Sequence, residues 1–214
     1  MTARVVLGTG NPGKAAEMAA ILSPLGIELN TLSLDVPEPE PTFEGNARLK
    51  GLAYAAQTGA LTVCEDSGLC IPALGGLPGP WSARFADCDI ADGRIVRVVE
   101  SGRERAEIDR ANNERVLFLL SGVEMPRRAA AFVVRVVVVQ GDRILYEDGA
   151  ETHGWIAESP RGDRGFGYDP IFVGTDTFGA TYAELDPVRK NTRSHRAQVM
   201  ARLAHWLASD EVTE

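Results

Sequence analysis

Three cysteines, Cys64, Cys70 and Cys88, are all that the 214 residues carry, and no two of them stand in a CxxC spacing. With so few, and with no way for all three to pair, neither a disulfide framework nor a zinc site is indicated, and the thiols read as reduced. Basic residues are also short: 22 lysines and arginines face 30 acids, for a formal charge of -8. A general nucleic-acid binder needs a basic surface, so that class is set aside, and any phosphate must be bound locally. Long apolar runs are missing too. The longest, Ala129 to Val139, is interrupted by Arg135 and falls short of the roughly 20 residues of a spanning helix. The N-terminal MTARVVLGTG enters a strand without a basic region and an apolar stretch ahead of a cleavage site. A cytoplasmic protein with no membrane partner is the expectation. A Walker A loop, GxxxxGK[ST], is absent as well.

What the chain does have is concentrated between Leu61 and Arg84, LTVCEDSGLCIPALGGLPGPWSAR. The run Leu61 to Cys64 reads as a short strand that breaks at Glu65-Asp66-Ser67-Gly68, which puts two carboxylates at a strand end. In open α/β sheets ligands bind beyond the carboxyl ends of the strands. Adjacent acids there suit a hard divalent cation or a general base. Alone, EDSG also reads as a polar turn in which Asp66 or Ser67 caps a neighbour, and the rest of the chain decides between the two.

Arg4 to Gly8 reads as a buried strand, followed by the turn Thr9-Gly10-Asn11-Pro12-Gly13-Lys14 and an amphipathic helix from Ala15 to Leu25. Such a turn aims free backbone N–H groups and the positive end of the helix dipole into one small space that favours an anion. A plain βα turn with an exposed lysine has the same pattern. After a second strand, Ile27 to Leu32, the stretch LDVPEPEPT is an extended, acidic, proline-rich loop in which Glu38 and Glu40 face the same way. Phe43 to Gly59 reads as a helix with Asn46 and Lys50 on one face, either exposed or in contact with a phosphate.

Asp92 to Val123 reads as two helices broken near Ser101-Gly102, with solvated charges and no chemistry. Ala130 to Gln140 is a β-branched strand, Gly141-Asp142 turns it, and Gly154 to Ala157 is a further strand, so the sheet has antiparallel members. The loop Pro160 to Pro170 carries Phe166, Gly167, Tyr168 and Asp169; aromatic rings beside glycines suit a stacking platform for a base, or only a turn before the strand Ile171 to Val173. Ser194 is a natural N-cap for a last helix with an apolar stripe at Val199, Leu203, Trp206 and Leu207. Lys190, His195 and Arg196 gather near that helix start, where an anion or carbonyl oxygen is a fitting partner.

Together these parts make an inventory for a nucleoside phosphate. TGNPGK, TFEGNARLK, EDSGLCIPALGGLPGPWSARFA, GFGYDPIF and SHRAQ, in that order, resemble the successive signatures of the inosine triphosphate pyrophosphatase family, the noncanonical purine nucleoside triphosphate pyrophosphatases. The resemblance runs nearly end to end, with only Asp92 to Glu158 poorly marked. It implies an α/β fold, a mixed twisted sheet with flanking helices in two lobes around a central cleft, formed by 1–214 as one two-lobed domain. It implies hydrolysis of ITP, dITP and XTP to the nucleoside monophosphate and pyrophosphate with Mg²⁺, by a homodimer.

Carried onto this chain, the resemblance gives Thr9, Gly10, Asn11, Pro12, Gly13 and Lys14 the triphosphate together with Lys50. Asp66 takes the position of proton acceptor or metal ligand, Glu38 that of the second acidic metal ligand, and Ser67 a place beside the phosphates. Phe166 stacks on the base within Phe166 to Asp169, and Lys190, His195 and Arg196 complete recognition of the nucleotide and its 6-oxo edge. A donor from Arg196 or His195 to O6 would reject adenine, whose amino group leaves that donor unpaired. The chain departs from the family pattern at Gly45, where glutamate is usual with Glu44 one place earlier, at Glu65, where aspartate is common, and at Trp81, where tyrosine is usual. A pyrophosphatase for modified pyrimidine triphosphates and a nucleotide-sensing module without turnover are the competing readings.

Overall fold

β-Branched and apolar residues write the strands, and capping residues set the helix starts. The computed structural model describes residues 4–99 and 102–209. β1 (Arg4–Gly8) leads through Asn11 into α1 (Pro12–Leu22). Asn11 is the N-cap, and its side-chain oxygen accepts from the backbone N–H groups of Gly13 and Lys14. β2 (Glu28–Leu32), the extended proline-rich loop and α2 (Phe43–Thr58) follow. Thr42 caps α2 by accepting from Gly45 N–H at 3.1 Å. β3 is Thr62–Cys70, α3 is Arg105–Leu119, and β6 and β7 are Ala129–Gln140 and Arg143–Ile156. β8 (Phe172–Gly174), the short α4 (Pro187–Asn191) and α5 (His195–Leu207) complete the order.

The main sheet has six strands in the order β2-β1-β3-β6-β7-β8. β1 runs parallel to both β2 and β3, and β7 runs antiparallel to β8. The expectation of a mixed sheet holds.

Sequence readings change at several points, and Gly154 to Ile156 is the end of β7 rather than a further strand. β3 does not stop at Cys64; Glu65 and Asp66 lie inside it, because buried cations and an amide supply partners that let acidic residues continue a strand. The region after Asp92 does not begin with a helix. It forms the hairpin of β4 (Cys88–Ala91) and β5 (Arg94–Val98). Asp92 and Gly93 both have positive φ, 50° and 71°, so this Asp-Gly pair makes the tight turn that favours a hairpin. α3 is then one continuous helix. Ser101, half of the expected break, lies outside the described residues.

The chain divides into two compact units. Among the described residues the first contains 4–66, 134–150 and 191–209. Its sheet is packed on one face by Met18 and Leu22 of α1 and Val199, Met200 and Leu203 of α5, which meet Val63, Val134, Val136 and Val138. On the other face Ala47, Tyr54 and Ala55 of α2 meet Cys64, Val137 and Val139. The period of two in β3 and β6 thus sends alternate residues to different helices. The second unit contains 67–99, 102–133 and 151–190, with a core that includes Leu69, Phe85, Val116, Phe132, Phe172 and Tyr182. Among the described residues no helix is long and apolar enough to cross a membrane.

Candidate functional site

In the first unit the alternation of β3 separates the two carboxylates of the EDSG stretch. Glu65 follows Val63 toward α1 and α5. Its carboxylate is 2.8 Å from Lys14 Nζ and accepts from Arg196 Nε at 3.0 Å and Nη2 at 3.4 Å. Arg196 Nη1 also donates to Glu17 of α1. Glu17, Glu65 and Arg196 are all buried. Burial works against the charge of Glu65, but Arg196 and Lys14 hold its carboxyl well below the usual carboxylate range. Burial likewise opposes the charge of Arg196, which Glu65 and Glu17 hold above its ordinary value.

Asp66 follows Cys64 toward α2. Its Oδ2 accepts from Asn46 Nδ2 at 3.1 Å, and its Oδ1 lies 3.5 Å from Lys50 Nζ. Lys50 Nζ also donates to Glu38 Oε2 at 2.9 Å. Asn46 and Lys50, four apart on α2, therefore share a face as the sequence indicates. Asn46 also binds the backbone of Glu40, accepting from its N–H at 2.9 Å and donating to its carbonyl at 3.2 Å. One buried amide thereby ties the proline-rich loop to the acid. Desolvation raises the Asp66 carboxyl above its ordinary 3.8; Lys50 and Lys14 oppose that rise, and the neighbouring Glu38 adds to it. Burial alone would lower Lys50, but Asp66 and Glu38 outweigh it and hold the ammonium above its ordinary value.

Glu38 and Glu40 do not act alike. Glu38 is half-buried and reaches Lys50, while Glu40 is exposed. Gly45 explains where Glu40 goes: a Cβ at position 45 would lie 2.8 Å from Glu40 Cβ and 3.0 Å from Thr42 Oγ1. The glycine at this position leaves room for the loop to lie against the start of α2. Glu44 turns instead to Arg135 Nε of β6, 2.5 Å away.

The glycine turn differs from its expected open form. The N–H groups of Gly13 and Lys14 are taken by Asn11 Oδ1, and that of Asn11 points to Thr9 Oγ1 at 3.2 Å. The cap that starts α1 uses the donors that the sequence reading left free. His195 is the first residue of α5 and is buried, with Ser194 capping the helix by accepting from Ala197 N–H at 3.1 Å.

In the second unit, Phe166 to Asp169 form a β-turn closed by Asp169 N–H donating to Phe166 O at 3.2 Å. Asp169 Oδ2 accepts from Phe166 N–H at 2.8 Å and from Lys190 Nζ at 2.5 Å. Lys190 Nζ lies 4.8 Å from the centre of the Phe166 ring, a cation–π contact. Phe166 is half-buried, whereas Tyr168 is buried with its hydroxyl donating to Ser82 O at 2.8 Å. Of the two aromatics only Phe166 presents a ring; Tyr168 anchors the turn from the core. Ser67, the first residue of this unit, is half-buried in β3.

The sequence reading missed Glu17, the role of Asn46 as partner of Asp66, and Asp109 and Asn113 of α3, which bond the backbone N–H and carbonyl of Gly167. Glu17 looks like any polar residue on an amphipathic helix. Two adjacent asparagines inside α3, Asn112 and Asn113, were a readable signal, because asparagine disfavours helix interiors.

Among the described residues no group of three or more His, Cys, Asp or Glu is placed to hold a metal ion. The Glu38–Asp66 pair fits a different kind of site. Its oxygens are hard donors already bridged by a cation, the Lys50 ammonium. Mg²⁺ is commonly held by one or two carboxylates, with phosphates and water completing its shell.

The architecture is that of Ham1 proteins. A HAM1 protein from Coxiella burnetii is similar to this chain with a TM-score of 0.77 and 31% identity, over 96% of this chain and 98% of the other. The model of the Ham1 family matches residues 5–206, and the chain belongs to that family. It is 44% identical to a dITP/XTP pyrophosphatase of Aromatoleum aromaticum over 98% of each chain. It is 39% identical to a dITP/XTP pyrophosphatase of Aquifex aeolicus over 97% of this chain and 98% of that one.

Proposed function

We propose that this protein hydrolyses noncanonical purine nucleoside triphosphates, ITP, dITP and XTP, between the α and β phosphates, releasing the nucleoside monophosphate and pyrophosphate. The observation that carries the reading is the buried carboxylate of Asp66, oriented by Asn46 and bridged by Lys50 to Glu38. Family membership and the names of the relatives agree with it.

Asp66 takes the proton of the attacking water at a carboxylate oxygen. Its raised proton affinity suits that task, since a base works best when its pKa approaches the working pH. Asn46 holds Oδ2 and so fixes which way the carboxylate faces. Lys14, Lys50 and Ser67, with the turn from Thr9 to Gly13, bind the phosphate chain. The lysines exchange carboxylate partners for phosphate oxygens as they do so. Glu38 and Asp66 would hold Mg²⁺, which when bound neutralises and orients the phosphates. Phe166 stacks on the base, with Gly167, Tyr168 and Asp169 shaping the turn and Lys190 fixing it; His195 serves the 6-oxo edge, and Arg196, held by Glu65 and Glu17, acts on that edge through the start of α5 that it anchors. A homodimer in the cytoplasm belongs to the same reading, and light scattering at twice the chain mass reads the dimer.

The test is selectivity. With Mg²⁺, kcat/KM for ITP, dITP and XTP should exceed that for ATP by at least about 100-fold, the loss expected when a site built to bond one edge meets another, and EDTA should stop turnover. Equal turnover of ATP and ITP, or preference for a modified pyrimidine triphosphate, would overturn the assignment.

A further inference from the structure

We propose that Asp109 and Asn113 of α3 are positioning residues for the turn that receives the base, acting as a two-armed clamp on Gly167. This rests on the reading of Phe166 to Asp169 as the base platform. Gly167 N–H donates to Asp109 Oδ2 at 3.0 Å, and Gly167 O accepts from Asn113 Nδ2 at 3.0 Å. Both backbone polar groups of one residue are thereby held by side chains one helical turn apart.

The clamped residue is the one that sets the shape of the turn. Gly167 has φ +60°, and Tyr168 after it is not among the positive-φ residues. That is the pattern of a type II′ turn, with glycine at the first central position. A glycine in this position has wide conformational freedom, so the turn needs outside contacts to keep one shape. Fixing the N–H of Gly167 also fixes the peptide plane it shares with Phe166, and with it the direction from which the Phe166 ring is presented.

α3 and the turn also converge on one acceptor. Asn112 Nδ2 donates to Ser82 O at 3.2 Å, and that carbonyl also accepts from Tyr168 Oη. Asn113 is buried in a helix interior, and its Oδ1 has no hydrogen-bond partner among the described residues. An apolar residue there would avoid that cost but would take the donor from the half-buried Gly167 carbonyl. The donor of this asparagine points at Gly167. Asp109 Oδ1 lies 2.9 Å from Arg105, which steadies the other arm.

The test uses the full chain and three variants: Asn113→Ala, the nearly isosteric Asn113→Asp, which sets an acceptor against the Gly167 carbonyl, and Asp109→Asn, whose amide oxygen still accepts from Gly167 N–H. Kinetics with ITP and ATP are compared with competitive inhibition by inorganic pyrophosphate, a probe that lacks the base. The two Asn113 variants should raise KM for ITP roughly fivefold to tenfold, the loss of about one hydrogen bond. They should narrow the ITP-over-ATP ratio and leave kcat and the pyrophosphate inhibition constant near wild type. Asp109→Asn should keep most of the selectivity. Equal loss on ITP, ATP and pyrophosphate would mean a structural role only and overturn the proposal, as would unchanged ITP kinetics in both Asn113 variants. Wild-type protein that does not prefer ITP would instead defeat the assigned function, and the wild-type arm reads that separately.

Discussion

Asp66→Asn is expected to lower kcat for ITP by about 10²- to 10⁴-fold, the range a positioned general base contributes, while the protein keeps its fold. The asparagine can still accept from Asn46 Nδ2 through its amide oxygen, and Lys50 retains Glu38. Stability should move in the other direction from activity. The Asp66 carboxyl is raised in the folded chain, chiefly by desolvation, so the folded state binds its proton more tightly than the unfolded state does. Its contribution is therefore fully present below its ordinary value of 3.8 and is lost as pH rises through the raised value. At neutral pH the ionised group opposes folding, and a neutral amide removes that opposition. Thermal unfolding in EDTA should find Asp66→Asn no less stable than wild type at pH 7, with the difference shrinking toward pH 4. Near-normal turnover would remove Asp66 from the chemistry, and a large fall in Tm at pH 7 would remove the stability argument.

Arg196→Ala should produce the largest stability loss. It would leave the carboxylates of Glu17 and Glu65 buried, with Lys14 as the remaining cation described on Glu65. Breaking a buried ion pair from one side costs about 3–5 kcal/mol, which for a chain of this size lowers Tm by roughly 6–20 °C. The pH dependence has the opposite sign to that of Asp66. The carboxyl of Glu65 is depressed in the folded chain, so its stabilisation is present above the ordinary carboxylate range and is lost as pH falls through the depressed value. Without Arg196 that loss should begin at higher pH. Combining Arg196→Met with Glu65→Gln and Glu17→Gln removes the stranded charges and should recover part of the Tm. A single Arg196→Ala variant with wild-type Tm would contradict the buried network. Because the guanidinium is so engaged, substrate preference at the 6-oxo edge is better probed in His195 variants, in which Glu17 and Glu65 keep Arg196 as their partner.

Much of the fold was legible because strong local signals agreed. The β-branched run of β6, the Ser194 cap and the apolar stripe of α5 each point to one structure, and the structure contains them. The hairpin at Asp92-Gly93 was missed although its turn chemistry is a strong signal, because the surrounding charges suggested a helix instead. β3 was cut short for a related reason. Acidic residues weigh against a strand when only local preference is considered, and the partners that admit Glu65 and Asp66 come from positions as distant as Lys14 and Arg196. Site residues divide along the same line. Asn46 and Lys50 were found from helical spacing, and Asn113 was open to notice as an asparagine inside a helix, whereas Glu17 and Asp109 depend on contacts with residues far away along the chain, Arg196 and Gly167 respectively, which no local pattern encodes.

The central claim is the position of the bond that is cut, and ³¹P NMR of the products reads it directly. Wild-type protein incubated with ITP and Mg²⁺ should yield IMP and inorganic pyrophosphate in equal amounts, with no orthophosphate in the early time course. IDP and orthophosphate, or an unchanged ITP spectrum, would contradict the account.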